Sequence, residues 1–205
     1  MSKFCGQPDL APRSTRGALV QRGAVGGSII LGGSALLAWA PASAGSAPSP
    51  SLDREIFQFA LQLEYLQAAF YAAAVDGASL RGEVLGFAET VAGHEQEHVD
   101  FLRKALGSAA KAAPQFDFGD ATRRERRFIE AAVLLENTGV AAYNGQAANL
   151  TKKSLAAAAQ IVSVEGRHAA WASAIAGSRP APRAVDPGAT AQAVAKTLKT
   201  TGFVR

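Results

Sequence analysis

The feature that most constrains this chain is a two-residue spacing that occurs twice. Glu95 and His98 stand three apart within Val91-Ala-Gly-His-Glu-Gln-Glu-His-Val99, and Glu165-Gly-Arg-His168 repeats the spacing seventy residues later. A further glutamate, Glu64 or Glu136, lies about one helix upstream of each pair. Residues three apart share a helix face, and in both pairs that face is otherwise apolar. One stripe reads Val84, Ala88, Val91, Glu95, His98, Leu102, Ala105; the other reads Leu155, Ala158, Val162, Glu165, His168, Ala172, Ile175. Glu64 interrupts the stripe Phe57, Ala60, Leu61, Ala68, Tyr71, and Glu136 the stripe Ile129, Ala132, Val140, Tyr143. Stripes of this period predict amphipathic helices.

Capping and stop signals bound four such helices. The first runs from Leu52 to Val75, with Ser51 as cap and Asp76-Gly77 as stop. The second runs from Leu80 to Leu106 between Ser79 and Gly107, the third from Ala121 to Leu150 behind Asp120, and the fourth from Lys152 to Ala176 between Thr151 and Gly177. Arg123, Arg124, Arg126 and Arg127 crowd the start of the third helix and read as a solvated face. The link from Ser108 to Phe118 is longer than a turn. Extended, it reaches roughly 36 Å at ~3.3 Å per residue, nearly the ~40 Å length of such a helix. It can therefore leave the second and third helices parallel. Beyond residue 177, a Pro- and Arg-containing loop leads to a short helix over Ala189–Leu198, whose Ala191, Val194 and Leu198 share a face that packs on the bundle.

The chain repeats itself. Leu63-Glu64 with Tyr71 matches Leu135-Glu136 with Tyr143, and Glu95, His98, Phe101 match Glu165, His168, Trp171. Each half is a helical hairpin with Glu on its first helix and Glu-x-x-His on its second. Two facing hairpins make a pseudo-two-fold bundle. Each glutamate lies near the middle of its helix, so antiparallel neighbours bring all four to one level. An ionised carboxylate buried alone costs several kcal/mol even after relaxation, about the residual penalty for one ion. Four at one depth also repel one another. Two divalent cations, with both imidazoles neutral, balance four carboxylates. That donor set suits iron or manganese better than zinc.

Composition narrows the alternatives. Hydrophobic residues are 48% of the chain and Ala is abundant, favouring helix over strand. The net charge of +4 owes much to Lys3, Arg13, Arg16 and Arg22, so it is no nucleic-acid footprint. The only cysteine is Cys5, which excludes a disulfide, a thiolate metal site or a cysteine nucleophile from the bundle. Residues 1–44 read as a signal peptide: a basic start, an apolar Gly-rich run over 24–39, and Ala42-Ser-Ala44 as cleavage pattern. The run is short for a membrane span, which needs ~20 residues, so no stable span is expected after processing. Thr15-Arg-Gly-Ala-Leu19 resembles a twin-arginine signal with Gly17 in place of the second arginine; the general export route is equally open. Residues 45–51 read as a linker, 52–177 as the bundle and 178–205 as a tail.

The phrases Leu63-Glu-Tyr-Leu-Gln-Ala-Ala-Phe-Tyr71, His94-Glu-Gln-Glu-His-Val99, Leu135-Glu-Asn-Thr-Gly139 and Val164-Glu-Gly-Arg-His168 resemble the ferritin-like superfamily, and within it the bacterial ferritin-like-domain and desiccation-related proteins. The resemblance implies an all-α, four-helix ferritin-like bundle with one long crossover, plus the short C-terminal helix. It implies that Glu64, Glu95, His98, Glu136, Glu165 and His168 hold two iron ions, with manganese the next choice and zinc behind both. Oxygen or peroxide would be the small-molecule substrate of a ferroxidase- or peroxidase-type reaction in the periplasm or cell envelope. A non-catalytic metal-binding or stress-protection protein is the alternative, and a homo-oligomer is compatible with either. Rubrerythrins add a cysteine-rich module that this chain lacks, and manganese catalases carry the ligand order in a longer chain.

His94-Glu95-Gln96-Glu97-His98 is also a literal H-E-x-x-H. In a zinc protease His94 and His98 would bind the metal and Glu95 would be the base. That reading leaves Glu64, Glu136, Glu165 and His168 without a role, whereas the bundle reading makes His94 a neighbour of the ligands or a solvent-facing residue. Tyr71, Tyr143 and Gln67 are candidates to hydrogen-bond a ligand. A tyrosine here could also lend an electron, although core tyrosines with satisfied hydroxyls are commoner.

Overall fold

The computed structural model describes residues 47–205; the segment read as a signal peptide and the start of the segment read as a linker lie outside them. Five helices follow in order: α1 (Pro50–Asp76), α2 (Gly82–Leu106), α3 (Glu125–Gln146), α4 (Lys152–Ile175) and α5 (Ala191–Lys199). This is the all-α bundle with a short C-terminal helix that the stripes and the resemblance together imply. None of these helices is long and apolar enough to cross a membrane.

Helix ends differ from the sequence reading where local chemistry offers something better. Helix α1 begins at Pro50, two residues early. Ser49 rather than Ser51 is the cap: its backbone is extended and its hydroxyl accepts from Leu52 N–H at 3.2 Å. Proline is pre-set for a first helical turn, where its missing N–H costs nothing. Helix α2 begins late, at Gly82, and Ser79 is not its cap. Ala78 stands at φ 50° there, and the Arg81 guanidinium donates to the carbonyls of Ala78 and Leu80 at 2.6 and 2.7 Å. Those contacts hold a turn through 78–81 that a helix would abolish. Helix α3 is shortened at both ends by 3₁₀ turns, Gly119–Thr122 and Ala147–Asn149. The second tightens the chain so that Leu150 and Thr151 can extend and cap α4. Thr151 is the expected cap, accepting from Ser154 N–H.

Buried aromatics fill the end of the bundle where α1 finishes and α3 starts. Phe70 stacks on Phe128 at 5.3 Å and meets Tyr71 and Phe118 edge-on, with Phe87 and Trp171 extending the cluster. A second apolar cluster at the opposite end gathers Leu52, Ile56, Leu61, Val99, Leu102 and Ile161. Full burial of each such side chain stabilises the fold by about 1.5–3 kcal/mol. The two clusters enclose the level of the four glutamates. Two stripe residues turn outward: Ala105 and Leu155 are exposed, the latter 39%. At the start of α4 the inward position belongs to Ser154, because buried Asp53 accepts from Thr151 N–H at 2.8 Å, from the Thr151 hydroxyl at 2.5 Å and from the Ser154 hydroxyl at 2.6 Å. The exposed arginines of α3 pair with Asp120 and Glu130, as a solvated face does.

Helices α1 and α2 form one hairpin and α3 and α4 the other. Tyr71 reaches Glu136 while Tyr143 reaches Glu64, which fixes α1 and α3 as antiparallel. Hence α2 and α3 run parallel, and the crossover travels the length of the bundle. The tail packs as expected: α5 lies against α3 with Ala191, Val194 and Leu198 buried. Gly145 lets it approach, since a Cβ there would lie 1.8 Å from the Ala189 carbonyl oxygen. The final residues pin the crossover. Asp117 N–H donates to Phe203, Arg205 N–H to Gln115, and Arg205 pairs with Asp117.

Candidate metal centre

One helix supplies each glutamate, and all four meet at one level. Glu95, Glu136 and Glu165 are 0% exposed and Glu64 is 1%. His98 and His168 enter beside them from α2 and α4. The structure therefore brings together all six residues marked out by the repeat. Their ligand-capable atoms form two groups, each within 4.8 Å of one another: Glu64, Glu95, His98, Glu165, and Glu95, Glu136, Glu165, His168. Glu95 and Glu165 belong to both.

The hydrogen bonds divide the carboxylates into two kinds. Glu64 Oε1 accepts from the Tyr143 hydroxyl at 2.5 Å, and Glu136 Oε1 accepts from the Tyr71 hydroxyl at 2.6 Å and from Gln67 Nε2 at 3.1 Å. Each thus keeps one oxygen, Oε2, without a hydrogen-bond partner. Glu95 and Glu165 keep both oxygens without one. Both imidazoles turn Nδ1 inward: His98 lies 3.3 Å from Glu64 Oε2 and Glu165 Oε1, and His168 lies 3.2 Å from Glu95 Oε1 and 3.4 Å from Glu136 Oε2. Among the described residues, ten buried side-chain nitrogen and oxygen atoms have no hydrogen-bond partner, and eight belong to these six residues. Buried polar atoms are nearly always paired. Eight such atoms facing one small space are compatible with a cation site.

The electrostatics agree. Burial raises Glu95 well above the usual carboxylate range, helped by Glu165 and Glu64 beside it. Burial also pushes Glu165 upward, but the closely facing imidazoles of His168 and His98 outweigh it and leave that carboxyl lowered. Burial disfavours charge on the imidazoles, yet the surrounding carboxylates win. They push His98 up to about 12 and His168 up to about 11. Four carboxylates at this depth recruit positive charge, and a proton on each ring is the nearest source. Tyr71 and Tyr143 are raised by burial and by the glutamates they serve, so both stay phenols that donate.

His94 stands outside both groups. It is exposed, and its Nδ1 lies 2.9 Å from His168 Nε2 with the two rings stacked at 5.2 Å. The zinc-protease geometry is not built. His94 contacts the back of another histidine, and Glu95, which would have to face an open cleft as base, is fully buried. The tyrosines serve as core residues and as hydrogen-bond donors at once, but each reaches the glutamate of the opposite hairpin. Gly139, which no stripe marks out, adjoins the cluster. A Cβ there would lie 2.6 Å from Glu165 Oε2, so only glycine leaves this carboxylate its place. The repeat carried the signal, because Gly139 occupies the position equivalent to Gln67.

Two facing hairpins with this carboxylate and histidine cluster at mid-depth define the ferritin-like class of bundle. A family model, the ferritin-like domain, matches residues 52–178, and the chain belongs to that family. No curated protein matches the chain. Its buried carboxylate–histidine cluster is compatible with a metal-binding site.

Proposed function

We propose that the chain is an exported protein whose bundle holds two iron or manganese ions for two-electron chemistry with oxygen or peroxide. The eight unpaired buried atoms support this reading more than any other observation. Glu64 Oε2 and His98 Nδ1 would serve one ion, Glu136 Oε2 and His168 Nδ1 the other. Glu95 and Glu165, which belong to both groups and keep both oxygens free of hydrogen bonds, would serve both ions. Four carboxylates then balance two divalent cations. When bound, such a pair supplies two one-electron steps and a position for a small oxidant.

The polypeptide supplies the rest. Tyr71 and Tyr143 hold one oxygen of each terminal carboxylate and so orient the other inward. Phe70, Phe87 and Phe128 keep bulk water from one side of the centre. Export rests on the basic, apolar and Ala-x-Ala pattern of residues 1–44. Kinship with desiccation-related proteins rests on the four quoted phrases. One observation favours the non-catalytic alternative: the four carboxylates are closed off from solvent, as suits a metal that is held rather than used.

Elemental analysis of the purified mature protein tests the centre, with two ions per chain expected. Anaerobic Fe(II) loading followed by air or peroxide then separates the readings. Rapid oxidation supports the redox role, and inert, tightly held metal supports the structural one. A protein that takes up no divalent metal defeats both.

A further inference from the structure

We infer that the two metal positions are unequal: a tight one at Glu136 and His168, and a weaker, exchangeable one at Glu64 and His98. The inference rests on the dinuclear reading above. The internal repeat alone would make the positions equivalent. Two side chains that bond the cluster, Gln67 and His94, have no counterpart in the other half, and both favour the same position.

The first is Gln67. Its Nε2 donates to Glu136 Oε1 at 3.1 Å beside the Tyr71 hydroxyl, so that carboxylate is fixed by two donors. Glu64 Oε1 has Tyr143 alone, because the repeat places Gly139 where Gln67 would recur. The second is His94, whose Nδ1 lies 2.9 Å from His168 Nε2. With Nδ1 of His168 turned to the centre, its Nε2 carries the proton and donates to His94. The bond fixes tautomer and ring plane together. The repeat places Val164 where His94 would recur. Among the described residues, no side chain bonds the outer nitrogen of His98. A partner behind a metal-binding imidazole raises its basicity and holds its orientation, and losing one typically costs about 10–100-fold in metal affinity. Exposure runs the same way, with His98 at 8% and His168 at 3%, so solvent reaches the less supported position more readily.

The test is a cobalt(II) titration of the whole mature chain, followed by calorimetry and by the visible absorption of the bound ion. The wild type is expected to show two dissociation constants at least about tenfold apart. In His94→Val, which restores the repeat at an exposed position, the tighter constant weakens by about 10–100-fold and the gap closes. His98→Ala is expected to retain one ion at the tighter constant. Equal constants in the wild type, an unchanged isotherm for His94→Val, or loss of the tighter ion in His98→Ala would each overturn the inference and leave the dinuclear reading standing. Failure of the wild type to bind cobalt would overturn both.

Discussion

Replacing Gly139 by Ala separates two quantities that a general loss of structure would move together. Gly139 lies within α3, where Ala in place of Gly favours a helix by about 0.8–1.0 kcal/mol. Its added Cβ would fall 2.6 Å from Glu165 Oε2, and ordinary contact begins at 3.4 Å. The clash is with the far end of a side chain, so the carboxylate can swing aside by roughly 0.8 Å, the difference between those two separations. The metal-free fold should therefore keep its stability or gain up to about 1 kcal/mol. Metal ligands, however, must lie within about ±0.2 Å of their proper distance, and Glu165 belongs to both four-residue groups. Displacing it should weaken both ions by about tenfold or more, at least as much as losing an outer hydrogen-bond partner. Urea unfolding of metal-free protein reads the first quantity, and metal titration reads the second. Wild-type affinity for two ions in a folded Gly139→Ala protein would refute the placement of Glu165 between the metals. Lost stability and lost affinity together would mean that α3 itself had moved.

Three further outcomes follow from the same contacts. Both imidazoles are raised to about 11 or 12, so at pH 7 each carries a proton that must leave before Nδ1 can bind metal; loading should release at least about two protons per chain, more if the raised Glu95 gives one up as well, measurable by calorimetry in buffers of different ionisation enthalpy, and no release would contradict the assignment of the histidines. Tyr143→Phe leaves Glu64 Oε1 buried without its donor, and should lower the stability of the metal-free protein by about 1–3 kcal/mol in a denaturant titration. Asp53→Ala removes three hydrogen bonds at the start of α4 and should cost about 0.5–2 kcal/mol at pH 7. Burial works against the Asp53 charge, but those bonds together lower its pKa below 3.8. Its contribution is thus present above pH 3.8 and fades as pH falls through the lowered value, so wild type and variant should converge in acid.

The helices and the six site residues were legible because period and burial agree along most of each stripe, and because the repeat states the same pattern twice. Of the two places where a stripe failed, Ala105 and Leu155, the second has a tertiary cause: Asp53 reaches across from α1, and nothing local announces that. The tyrosines show a different limit. Tyr71 follows Glu64 by seven residues on one face, but seven residues rise about 10.5 Å, too far for a hydrogen bond. Only the antiparallel setting of α1 and α3 reveals that each tyrosine serves the other hairpin's glutamate. The departures from the repeat at Gln67 and His94 were visible in the sequence. Their meaning was not, since a substituted position acquires a role only when the atom it touches is known.

The raised imidazoles explain how such a chain can fold before it meets metal. Four bare carboxylates at this depth would oppose folding by several kcal/mol each, about the penalty for a buried unpaired ion. His98 and His168 lessen that opposition by holding protons among them, and Glu95, itself raised, can hold another. A histidine raised in the folded state adds stability fully below its unfolded value near 6.5 and keeps part of it until pH passes the folded value, here about 11 or 12. The metal-free bundle should therefore be most stable below about pH 6.5 and lose stability progressively as pH rises toward 11 or 12, where the imidazoles give up their protons. The positions held by those protons are the ones the proposed ions would take, so metal uptake becomes an exchange of cations inside a finished fold. Such a bundle can leave the ribosome, and on the proposed reading the cytoplasm, before it meets iron or manganese.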